Sequence, residues 1–89
     1  MRDFSIEEDL DKTLGNLFKK DRETYKAVMS KIDEILKSED VNHYKNLRSP
    51  LQHLKRVRIR SSFVLTFRYI EAEDKVVFYD FDHHDNIYK

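Results

Sequence analysis

The chain has 89 residues, 38% charged and 39% hydrophobic, with 17 basic side chains balancing 17 acidic ones. That length bounds it to one domain with a modest core, and the absence of Cys excludes disulfides and thiolate metal sites. No apolar run approaches membrane length, and the N-terminus (Met-Arg-Asp-Phe-Ser-Ile-Glu-Glu) lacks an apolar signal segment, so a cytoplasmic protein is expected.

Met1–Phe4 reads as a short edge strand. Residues 6–20 then read as a helix, because Ile6, Leu10, Leu14, Leu17 and Phe18 fall on one stripe. Ser5 is placed to cap it, with Glu8 completing a capping box, and Lys19-Lys20 closes it at the negative end of the helix dipole. Gly15, inside this helix, is expected to permit close helix packing. Residues 22–37 form a second helix, with an apolar stripe of Tyr25, Val28, Met29, Ile32, Ile35 and Leu36 and with Asp21 as its cap. The short join makes the two helices an antiparallel hairpin. Residues 41–54, which contain the only Pro, read as an ordered loop or short strand entry.

Three strands follow. Lys55–Arg60 comes first and turns at Ser61-Ser62. Phe63–Tyr69 comes next, with Phe63, Leu65, Phe67 and Tyr69 on one face and Val64, Thr66 and Arg68 on the other. Lys75–Asp82 is the third, and its mixed apolar run fits a central strand covered on both faces. The expected fold is α+β: a two-helix antiparallel hairpin on one face of a small, mainly antiparallel sheet of three or four strands.

Charge is polarised along the chain. Residues 1–44 carry 8 basic and 11 acidic side chains, whereas residues 45–89 carry 9 basic and 6 acidic. From Lys45 to Arg68 there are seven cations (Lys45, Arg48, Lys55, Arg56, Arg58, Arg60 and Arg68) and no acid. On a strand, Arg56, Arg58 and Arg60 form a row on one face, while Val57 and Ile59 anchor the other. Guanidinium groups at that spacing suit a row of phosphates. The helices should leave this face open, because rows of arginines are not buried without partners.

The tail, Asp82-His-His-Asp85 and then Tyr88, carries groups that move protons. Adjacent strand residues point to opposite faces, so at most one of the two histidines is expected in a site. A metal site is not expected there, because neighbouring ligands rarely converge on one ion and no HxxxH or HxH spacing is present. His43 and His53 read as loop residues, Tyr44 as packing under that loop or stacking on a base, and Phe63, Phe67, Phe78 and Phe81 as core.

The ordered set of Lys55-Arg-Val-Arg58, the turn Arg60-Ser61-Ser62, Phe63-Val-Leu-Thr-Phe67, Val76–Phe81 and His83-His84-Asp-Asn-Ile-Tyr88 resembles the RelE/ParE superfamily of bacterial and archaeal toxins. Asn42–Leu51 is similar to the family's segment leading into the sheet. The resemblance implies a compact toxin wrapped by a cognate, RelB-like antitoxin in a hetero-oligomer, with no cofactor. RelE-like members cleave mRNA in the ribosomal A site, and ParE-like members poison gyrase. By position, the resemblance makes Arg56 and Arg58 the RNA-contacting basic residues and Tyr88 a residue near the attacking 2′-hydroxyl. His84 and His83 then serve as proton-transfer candidates, with Arg60, Arg68, Lys45 and Arg48 as further phosphate-binding candidates. The sequence departs at Val64, where the family carries an Arg that stabilises the scissile phosphate. That role would fall to Arg60 or Arg68.

Overall fold

Ser5 and Ile6 do not open the first helix. In the computed structural model, which describes residues 1–87, Asp3–Ile6 form strand β1, and helix α1 begins at Glu8 and runs to Lys20. The reason is backbone pairing: β1 runs parallel to the C-terminal strand, with Ser5 opposite Val77 and Ile6 opposite Phe78. The expected capping box is therefore absent, and Glu7 occupies the N-cap with no side-chain cap hydrogen bond. Helix α2 spans Arg22–Lys37, and Asp21 caps it as expected. Its carboxylate accepts from the Thr24 backbone N–H at 3.2 Å and the Thr24 hydroxyl at 2.6 Å.

A 3-10 turn at Val41–His43 leads through a loop to β2 (Lys55–Ile59), β3 (Phe63–Ile70) and β4 (Lys75–His83), and a short helix α3 covers His84–Ile87. The sheet order is β1-β4-β3-β2, with β2, β3 and β4 antiparallel. Two helices thus pack on one face of a four-stranded, mostly antiparallel sheet, the expected architecture.

Leu10 and Leu14 of α1 and Val28, Ile32, Ile35 and Leu36 of α2 meet Ile59, Leu65, Phe67, Val76, Phe78 and Phe81 of the sheet in one core. The mixed apolar run of β4 has a specific cause. Thr66 pairs with Asp80 and Phe67 pairs with Phe78, so Tyr79 is an extra residue, a β-bulge. The bulge shifts the alternation by one and sends both Phe78 and Phe81, three positions apart, into the core.

Gly15 has a different role from the one expected. It is exposed on α1, and nothing lies within 4 Å of where its Cβ would stand, so no close packing depends on it. Gly15→Ala is expected to stabilise the protein by about 0.5–1 kcal/mol through the lower backbone entropy of the unfolded chain, read as a raised urea midpoint at constant slope.

Arg2 ties the chain's start to the β3–β4 turn and to the end of α2. The Arg2 guanidinium donates to Asp74 Oδ1 at 2.8 Å and to the carbonyls of Leu36, at 3.2 Å, and Ser38. Tyr69 donates its hydroxyl to the same Asp74 oxygen at 2.7 Å. These bonds, Tyr69 first and Arg2 second, hold the Asp74 carboxyl below its ordinary value of 3.8. A carboxyl depressed in the folded state adds stability that is complete above its unfolded value and is lost as pH falls through the folded one. Acid destabilisation between about pH 6 and about pH 3 should therefore be smaller in Asp74→Asn than in the wild type, measured by urea titration. Asn suits the left-handed backbone at this position (φ 49°).

Candidate functional site

Strand alternation divides β2 cleanly. Lys55 and Ile59 are buried and Val57 is half-buried on the helix side, while Arg56 and Arg58 project from the opposite face. The loop before β2 rises over that same face. It is held by the Lys55 ammonium, which donates to Asn46 Oδ1 at 3.0 Å and the Tyr44 carbonyl at 3.3 Å, and by an Arg56 N–H bond to the Lys45 carbonyl at 2.9 Å. Lys55 thus serves the fold rather than the basic face.

Between loop and strand lies a cleft of about 490 Å³, lined by Asn46, Arg48, Pro50, Arg56, Arg58 and, from α3, Ile87. Three arginines line it, and the Arg58 guanidinium donates to the Ser61 carbonyl at 3.0 Å. The face is thus a roofed cleft, not an open sheet surface. Leu47 is buried beneath the loop, and the sheet residues Val64 and Thr66 are buried too.

The expected row of three arginines ends at two. Arg60 lies past the end of β2, in the turn, with φ 56°, and its charge instead helps depress the Asp21 carboxyl, after the hydrogen bonds from Thr24. Arg68 is exposed on the outer face toward the other end of β3, opposite Val77, and does not line the cleft; nor does Lys45. Arg58 is the direct cross-strand partner of Val64.

The basic window has no acid in sequence, but the sheet supplies two. Arg56 pairs across Thr66 with Asp80, and Arg58 pairs across Val64 with Asp82, all on one face. Two strand spacings, about 10 Å, separate the backbone of each arginine from that of its acid. Each carboxylate is held locally: Asp80 accepts from the Phe81 N–H at 2.9 Å, and Asp82 from the His83 N–H at 2.7 Å and Asn86 Nδ2 at 3.0 Å.

His83 ends β4 and His84 starts α3, so strand alternation stops between them. Instead of pointing apart, as strand alternation predicts, their rings stack at 4.7 Å with planes 26° apart. His84 donates its backbone N–H to the Ser62 carbonyl at 2.9 Å, which places the pair beside the β2–β3 turn. Asp85 stands against both rings, its Oδ1 3.1 Å from His84 Nδ1 and its Oδ2 3.6 Å from His83 Nδ1. A carboxylate at Nδ1 assigns that nitrogen of His84 its proton and leaves the lone pair on Nε2. Sequence alone does not single out Asp85 as a partner of the histidine rings. Its clue, one residue from His84 at the start of a helical turn, is legible only once α3 is known. Tyr88 lies outside the described residues.

No family model matches the chain. It is 49% identical over 89 residues to "Putative toxin RelE4" of Methanocaldococcus jannaschii, covering 100% of this chain and 93% of that protein. The chain belongs to the RelE-like toxin superfamily. Among solved structures, this RelE-like chain matches the RelBE2 toxin–antitoxin complex of Mycobacterium tuberculosis (TM-score 0.73, 22% identity, 92% of this chain and 90% of that one). It also matches a metal-bound toxin from Helicobacter pylori (TM-score 0.76, 16% identity, 98% and 99%). At those identities the likeness is one of fold. It bears out the reading of a two-helix hairpin on a sheet of three or four strands, and the family makes the chain a toxin of the toxin–antitoxin type. No helix among the described residues is long and apolar enough to cross a membrane.

Proposed function

We propose that this toxin is a ribosome-dependent endonuclease that cuts mRNA by 2′-hydroxyl attack without a metal. The observation that carries this reading is the cleft where Arg48, Arg56 and Arg58 meet, with α3 forming its edge through Ile87. Its volume falls in the roughly 300–1,000 Å³ range of ligand sites. Guanidinium forks held by a sheet bind phosphate oxygens in pairs and stabilise the charge that builds on a five-coordinate phosphorus. His84 takes the 2′-hydroxyl proton on Nε2. The 2′-oxygen then bonds to phosphorus as the P–O5′ bond breaks, and the leaving oxygen receives a proton from His83 or Tyr88. A 2′,3′-cyclic phosphate and a 5′-hydroxyl result. Mechanistically, the cations bind and stabilise while the imidazole moves the proton.

A RelB-like antitoxin is the partner this reading requires. Its acidic residues would cover the arginine cleft, and the toxin would be held in a hetero-oligomer. Expression of the toxin alone should arrest translation and leave ribosome-bound mRNA cut at codon boundaries, and co-expression of the neighbouring reading frame should restore growth. Intact mRNA during growth arrest would sink the endonuclease reading. Buried Val64, in place of the family's arginine, favours one alternative: a ParE-like or degenerate toxin that acts by protein binding, such as gyrase inhibition. DNA damage with intact mRNA would select it.

A further inference from the structure

Sequence spacing argues against a metal at the tail, but the turn from β4 into α3 changes the geometry. One ligand atom from each of His83, His84 and Asp85 lies within 4.8 Å of the other two. The Asp85 carboxylate oxygens stand 3.1 Å and 3.6 Å from the two imidazole Nδ1 atoms. An ion about 2.0–2.2 Å from each ligand, with tetrahedral angles, needs ligand–ligand separations of about 3.4 Å. The two carboxylate–imidazole separations, each to a different oxygen of Asp85, lie close to that value, and rotation of the exposed carboxylate and the half-exposed rings brings one oxygen and both nitrogens onto a single ion.

We propose that His83, His84 and Asp85 form a binding site for a late first-row divalent ion, with Zn²⁺ as its simplest occupant. Two imidazoles and one carboxylate suit Zn²⁺, Cu²⁺ or Ni²⁺, whereas Mg²⁺ and Ca²⁺ prefer oxygen ligands throughout. Three protein ligands leave a fourth position for water. Binding displaces the Asp85 N–H that donates to His83 Nδ1 at 3.3 Å and takes the Asp85 carboxylate from His84. With the ion on Nδ1, a neutral His84 carries its proton on Nε2, the atom that takes the 2′-hydroxyl proton in the proposed mechanism, so the ion would inhibit RNA cleavage. That consequence rests on the endonuclease reading; the binding does not.

Titration calorimetry of the full chain with Zn²⁺ should give one ion per chain. His83→Ala and His84→Gln should each weaken binding by at least about tenfold, and Asp85→Asn should weaken it less. A His43→Ala/His53→Ala variant should bind like the wild type, and Co²⁺ should produce visible absorption bands that fade in His84→Gln. All the altered side chains are exposed or half-exposed, so each variant should keep the wild-type circular dichroism spectrum. Absence of zinc uptake, or a loss that follows His43 and His53, overturns the site. In ribosome assays Zn²⁺ should suppress mRNA cleavage and a zinc-selective chelator that spares Mg²⁺ should restore it; cleavage that persists with the site filled overturns the inhibition. A chain that binds zinc as expected yet never cuts mRNA upholds the site and overturns the endonuclease reading.

Discussion

Replacing Arg56 and Arg58 together with Ala is expected to lower mRNA cleavage by at least about 10²-fold and to weaken RNA association. Each fixed donor aimed at a developing anion is worth about 10²–10³ in rate, and the two stand on adjacent outward positions of one rigid strand. The salt dependence of binding should flatten as well, by about 0.7 log units per log unit of salt for each single-strand phosphate that the variant no longer neutralises. Arg60→Ala and Arg68→Ala serve as the internal comparison. They remove the same charge from the same basic window but lie outside the cleft, so they should leave cleavage nearly unchanged. If all four arginines mattered equally, net charge rather than the cleft would govern the reaction. If none mattered, the protein-binding alternative would gain.

That comparison marks where sequence stops being informative. The helix pair, the meander and the inward face of β3 follow from periodicity, because burial of Leu10, Val28, Leu65 and Phe67 demands a fixed spacing. The outward pair Arg56 and Arg58 follows for the same reason. What fails are features set by partners distant in sequence. Ser5 and Ile6 look like a helix start but are claimed by pairing with Val77 and Phe78. The third arginine leaves the row because the strand ends at Ile59, and a side chain on a left-handed turn residue has no strand direction to inherit. Asp80 and Asp82 face the arginines only because two strands bring them there. The extra residue Tyr79 is invisible to alternation counting, and the bulge it makes is what lets Phe78 and Phe81 share one core.

The tail histidines carry the second large effect. His84→Ala should reduce cleavage by about 10²–10⁴-fold, the range for losing a proton-transfer group, with mRNA binding nearly intact. Asp85→Asn separates chemistry from positioning. Its side chain touches His84 Nδ1 at 3.1 Å and, in the proposed mechanism, not the substrate. It should lower kcat by about 10–100-fold with little change in KM, because the amide no longer fixes the imidazole with its lone pair on Nε2. His83→Ala tests whether the stacked partner shares the work or only supports the ring. If it is the acid, the rate should fall as far as in His84→Ala; if it only packs, the fall should be much smaller. Full activity in all three variants would remove imidazole chemistry from this toxin. Growth arrest would then have to come from binding alone, through the same arginine cleft.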